Sequence, residues 1–153
     1  MQQYKAAITG GLIAGLVTTA VMVAGRKTGV LTKTLDRDAV DWIDDLAGSR
    51  KVIGDGGTSV VEFANHLGAS TAFAVALPAL RRVAPSLSAA TIGVAYGTAL
   101  YAVNIAGIAP VLGITEGERE AGPRKVGERW AIHVLQAVVT VLVAERLTTE
   151  RKA

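Results

Sequence analysis

The chain has 153 residues, of which 50% are hydrophobic and only 19% charged, with a net charge of +3 and no cysteine. That balance is too apolar for a soluble domain of this size, and the charges gather between long uncharged runs, as they do where a charge would otherwise enter hydrocarbon. The lack of cysteine excludes a disulfide framework, a thiolate metal site and a cysteine nucleophile, and no basic patch interleaves with aromatics as a nucleic-acid surface requires.

The first apolar run, Ala6 to Gly25, is bracketed by Lys5 and by Arg26-Lys27. Its length of about twenty residues, at about 1.5 Å rise each, matches a hydrocarbon core of about 30 Å. Val23-Ala24-Gly25 resembles a signal-peptidase site, but the run is long for a signal peptide and three more spans follow. In the first loop, Leu35, Ala39, Trp42, Ile43 and Leu46 recur at helical spacing and predict an amphipathic helix within residues 35–47. Asp36, Asp38, Asp41, Asp44 and Asp45 occupy its other face. Such a helix lies at the interface with Trp42 at headgroup level, its acids either solvated or docking a cationic partner. Gly54-Asp-Gly-Gly57 lacks the strand and lysine of a phosphate loop and reads as a flexible approach to the second span.

The second run, Thr58 to Leu80, ends at Arg81-Arg82, and a short turn with Pro85 and Ser86 as N-cap leads to the third, Leu87 to Leu112. Gly122-Pro123 precedes the fourth, Val126 to Ala144. Four spans, at residues 6–25, 58–80, 87–112 and 126–144, make residues 1–153 one integral membrane domain. The fold class is an all-α, four-transmembrane-helix bundle with both termini on one side. The purely basic Arg81-Arg82 turn places the termini in the cytoplasm, although the raw Lys/Arg count of the two longer loops leans the other way.

Sliding the chain by about 82 residues aligns the first span with the third, bringing Gly11 and Gly15 onto Gly93 and Gly97. The two GxxxG pairs flatten helix faces for close packing, first within the bundle. Glu62 and His66 have approximate counterparts in Glu128 and His133, one residue out of step. This pattern predicts a duplicated helical hairpin.

His66, Asn104 and His133 all fall roughly 10–12 Å below one membrane face, from the rise per residue. Asn65 adjoins His66, Gln136 lies one turn below His133, and Glu62 and Glu128 stand nearer the surface. Polar groups at that depth are costly unless they face one another, which predicts a shared internal polar layer. Two acids and two histidines there suit a proton relay, a divalent metal or another small cation. The structural alternatives are that Ser59-x-x-Glu62 is only a capping box, that Glu128 sits at headgroup level, and that the histidines only bond helix to helix. Bis-histidine haem ligation is geometrically conceivable, but two histidines alone do not call for a cofactor. No catalytic motif is present.

A glycine-rich first span, the Asn65-His66 pair, Pro110-Val-Leu-Gly-Ile-Thr115 closing the third span, Gly127-Glu-Arg-Trp-Ala-Ile-His133 and Glu145-Arg146-Leu147 follow in an order that resembles the YagU-like family of small bacterial inner-membrane proteins. The resemblance covers the last two-thirds of the chain; the acidic first loop and the shorter length depart from the family pattern. It implies an inner-membrane location and a connection to acid tolerance, but no mechanism. Two function classes stand: a protein that binds or conducts a proton or small cation through its polar layer, and a structural or accessory subunit of a membrane complex. The lipid bilayer is the partner the sequence requires, and a homo-oligomer is compatible with it.

Overall fold

The computed structural model describes residues 1–150, and these are almost entirely helical, with no strand among them. Helix α1 (Gln2–Lys27) leads through a turn at Gly29 to α2 (Leu35–Ala47), the amphipathic helix expected in the first loop. Gly48 ends α2 in the left-handed region, at φ 62°, and α3 (Ser49–Ala74) follows at once. After a bend come α4 (Leu77–Val83), with Pro78 in its first turn, and α5 (Ala89–Leu100). The helix then widens into a π-helical stretch, Tyr101–Ile108, before the short α6 (Ala109–Val111). Helix α7 (Glu118–Glu150) completes the chain. Four helices are long and apolar enough to cross a membrane, Gln2–Lys27, Ser49–Val83, Ala89–Val111 and Glu118–Thr149, as in a multi-pass membrane protein.

Three local expectations are corrected. Gly54–Gly57 is wound into helix and is no flexible approach: Gly54 (φ 67°, ψ 178°) breaks the short first turn of α3 from the long apolar helix, which begins directly after it and carries the second span. Ser59 is consequently inside the helix, donating to Asp55 O, and Glu62 caps nothing. The third span is capped by Ser88, whose hydroxyl accepts from the Thr91 N–H, and not by Ser86.

Helix α1 packs against α3 on one side and α7 on the other, and α7 packs against α5. The glycines set these distances. A Cβ on Gly11 would stand 2.7 Å from Ser70 O and one on Gly15 would stand 2.9 Å from Leu67, whereas Gly93 and Gly97 would each meet an α7 backbone atom at 2.6 Å. Each GxxxG pair therefore packs against the span that follows it. Gly11 and Gly15 meet Thr71 and Leu67 where Gly93 and Gly97 meet Val138 and Val134. That spacing makes His66 the counterpart of His133, and Glu62 the counterpart of Arg129 instead of Glu128.

The apolar core lies toward the termini, where Ala6, Ala7, Leu77, Ile92, Val141 and Ala144 cluster. A hairpin duplication would make the α3/α5 pair the equivalent of α1/α7, but the two pairs differ. Glycine at position 10 brings α1 within 2.6 Å (from a built Cβ) of Thr140 O on α7, while α3 and α5 are tied by a hydrogen bond of 2.6 Å from Tyr96 Oη to Phe73 O. Beyond that tie, toward the two long loops, α3 and the π-helical stretch enclose a cavity.

Candidate functional site

The cavity has a volume of about 230 Å³ and is lined from α1, α2, α3, the end of α5, the π-helical stretch and α7. His66, Asn104, His133, Gln136, Asn65 and Glu128 are on its wall; Glu62 is not. Local backbone geometry explains part of this placement. Pro110 has no N–H to return to the preceding turn, and the wider π-helical winding that carries Asn104 lies directly before it.

His66 is the best-connected group of the site. Its Nδ1 stands 2.9 Å from Asp36 Oδ2 on α2, and its Nε2 stands 2.9 Å from Thr18 Oγ1 on α1. Thr18 is fully buried, and its hydroxyl reaches Gln136 Oε1 on α7 at 2.7 Å as well as Ala14 O at 2.9 Å. Gln136 Nε2 in turn donates to Gly11 O at 3.4 Å. Four helices are thus joined through one imidazole. A threonine hydroxyl carries one proton and can both donate and accept. When Thr18 donates to Gln136 Oε1, it accepts from Nε2–H; when it turns to donate to Nε2 of the neutral ring, the Gln136 amide flips so that its NH2 donates to Thr18. Both protonation states of His66 are therefore served by one hydroxyl and one amide rotation, with Nδ1–H held on Asp36 in each.

His133 is engaged differently. Its Nδ1–H donates to Arg129 O in its own helix at 2.8 Å, and its ring meets Tyr101 edge-on at a centroid separation of 6.2 Å. The Asn104 side-chain amide has no hydrogen-bonding partner among the described residues, nor does that of Asn65, which is exposed where the cavity opens.

The two acids of the expected layer are held apart from the histidines. Glu62 receives Arg26 at 3.2 Å and Arg37 at 3.4 Å. Glu128 accepts from Thr32 N–H at 2.9 Å, from the Thr32 hydroxyl at 2.7 Å and from Arg124 at 2.8 Å. They belong to an ion-pair lattice over the mouth. At its centre, buried Arg129 faces Glu118 at 2.8 Å, Glu116 at 3.1 Å and Asp38 at 3.9 Å. Tyr101 Oη also donates to Glu118. Lys33 bridges Asp38 and Asp41, each at 2.8 Å. Burial opposes the Lys33 charge, but these two carboxylates hold its ammonium above the ordinary lysine range. The hydrogen bond from Lys33, against burial and aided by Arg50, holds Asp41 below the usual carboxylate range. Lys125 does the same for Glu116. The acidic face of α2 is accordingly not a free solvated face: Asp36, Asp38, Asp41 and Asp44 are each paired.

Asp36, Thr18 and Arg129 are the site residues that reading the spans separately missed. Thr18 was visible only as a hydroxyl in an apolar run. Asp36 lay among five acids of one helix, with nothing in the spacing to mark the one that turns inward. Among the described residues, no cluster of three or more histidines and carboxylates is arranged to hold a metal ion. Comparison with models of known families, with curated proteins and with solved structures gave no match, so the reading of this site rests on its own geometry.

Proposed function

We propose that this chain is a membrane protein whose cavity takes up and releases a proton at His66, with Asp36 as its counter-charge, in exchange with the side that carries the two long loops. The observation that carries this reading is the Asp36–His66–Thr18–Gln136 chain, in which one hydroxyl turns to suit either state of the ring. A proton fits this site better than a metal cation, because both imidazole nitrogens are already engaged. The tight core toward the termini favours one-sided exchange over a through-channel. The resemblance to the YagU-like family supports an inner-membrane location and agrees with a proton-handling role. For orientation we keep the termini cytoplasmic on the purely basic Arg81-Arg82 turn, against the raw Lys/Arg count of the long loops, which paired acids do not discount.

Titration of the purified chain in lipid nanodiscs against its His66→Gln variant tests the reading. The expected difference is about one bound proton per chain across the imidazole range. Superposing curves overturn it. The second reading, an accessory subunit without transport activity, is favoured by the closed ion-pair lattice, which ties the loops together. On that reading His66→Gln lowers stability and leaves proton binding unchanged.

A further inference from the structure

The charged groups at the mouth of the cavity are all paired, but the polar groups of its deeper wall are not. Ser70 is 5% exposed, and neither its hydroxyl nor the Asn104 amide has a hydrogen-bonding partner among the described residues. Asn65 adds a second unpaired amide at the rim. Between them the wall is apolar, with Met22, Leu35, Phe73, Leu100 and Ile132. A small apolar chamber with a few polar groups on its wall is the usual form of a ligand site, and the Asn104 amide and Ser70 hydroxyl are left free to bond whatever enters it.

The geometry points to a binding site for a small neutral amphiphile, a short apolar chain ending in a carboxamide or hydroxyl, held by Asn104 and Ser70. Three observations select this class. The unpaired groups are neutral and can between them donate and accept, which matches an uncharged headgroup that does both. Lys33, Asp36, Glu128 and Arg129, the charged side chains on the wall, already face opposite charges or donors, and Arg129 Nε, which lacks a partner, has no surface exposed to the cavity, so an ionic headgroup would displace an existing partner. The cavity of about 230 Å³ lies below the range of about 300–1,000 Å³ typical of drug-sized ligands, which limits the occupant to a short chain.

The route of access is also on the wall. Asn65 is exposed and lines the cavity, so the cavity opens beside α3, at a level within the apolar span Ser49–Val83. A ligand that partitions into the bilayer reaches such an opening directly. The site shares its cavity with the proposed proton site but does not depend on the titration of His66.

Octanamide, octanoate and octylammonium, which share a chain and differ in headgroup charge, are the probes. Each is added at neutral pH to the full chain in nanodiscs, and the unfolding midpoint is followed against probe concentration, since binding to the native state raises it. Octanamide is expected to give a saturable rise with an apparent affinity at least tenfold tighter than either ion. Asn104→Leu and, separately, Ser70→Ala should each weaken that affinity by tenfold or more, while Thr19→Val, at a residue that does not line the cavity, leaves it in place. No saturable rise with octanamide overturns the inference, as do equal rises with all three probes. Unchanged affinity in both wall variants overturns it too, and Ser70→Ala serves alone if Asn104→Leu does not fold. Loss of the octanamide response in His66→Gln alone would transfer the ligand to the proton site and refute the assignment to Asn104 and Ser70.

Discussion

Replacing Thr18 with valine removes one hydroxyl and changes the side-chain shape very little, yet it should be among the most damaging substitutions in the first span. The hydroxyl joins α1 to His66 on α3 at 2.9 Å and to Gln136 on α7 at 2.7 Å, in a position with no exposure. Interhelical hydrogen bonds in membrane proteins average about 0.6 kcal/mol, with an upper range near 1.7 kcal/mol, so two of them are worth roughly 1–2 kcal/mol. The variant also leaves His66 Nε2 and Gln136 Oε1 without a partner, and a stranded buried polar group costs about 1–3 kcal/mol. The total expected destabilisation is roughly 2–4 kcal/mol, taking the two costs as partly overlapping. Thr19→Val is the internal control. The Thr19 hydroxyl bonds only to Gly15 O of its own helix, at 2.8 Å, and that carbonyl keeps its helical partner. Its loss should cost less than about 0.5 kcal/mol. Reversible unfolding in lipid bicelles measures both variants against the parent chain. Equal losses for Thr18→Val and Thr19→Val would refute the role of Thr18 as the node between three helices.

The glycine contacts predict substitutions of opposite sign. Gly93→Ala puts a Cβ 2.6 Å from Val138 Cα and should destabilise by about 1–3 kcal/mol, whereas Gly68→Ala meets nothing within 4 Å and should stabilise by about 0.5–1 kcal/mol, both read from the same unfolding assay. Gly122 has φ 79° and ψ 159°, a region nearly confined to glycine, so Gly122→Ala should cost about 1–3 kcal/mol and loosen the start of α7 in amide exchange. The cover over the cavity should depend on pH at both extremes. Asp41 and Glu116 are held below the usual carboxylate range, so their stabilising contribution is present above it and is lost as pH falls through their lowered values. Lys33 is held above the ordinary lysine range, so its contribution is complete below about 10.5 and is lost as pH rises through its raised value. Protection of the α2 amides, the slowing of exchange relative to an unstructured chain at the same pH, should therefore be greatest between those limits, and protection that stays constant from strongly acid to strongly alkaline pH would contradict the lattice.

The spans and α2 were legible because hydrocarbon thickness and helical periodicity act along the chain, one segment at a time. Leu35–Ala47 matched its amphipathic pattern for that reason, since the stripe from Leu35 to Leu46 needs no knowledge of a partner. His66, Asn104, His133 and Gln136 stood out as polar residues in apolar runs, and their depths could be compared by counting. What could not be read was which group each would meet. Asp36 leaves the acidic face of α2 to bond His66, and that pairing depends on how α2 folds back over α3. Glu62 shares a helix face with His66 by spacing, but Arg26 and Arg37, arriving from other segments, claim its carboxylate. The kink at Gly54 was hidden too, because a glycine-rich stretch before an apolar run reads equally as a loop or as a bent helix.

The central claim is that His66 exchanges a proton with the side of the long loops only. The most direct test reconstitutes the chain in vesicles of one orientation and follows a pH jump with an indicator dye confined to one side at a time. Rapid uptake of about one proton per chain should be reported by the dye facing the long loops, disappear in His66→Gln, persist in His133→Gln and be absent from the terminal side. Uptake that survives His66→Gln, or that is reported equally from both sides, would contradict the account.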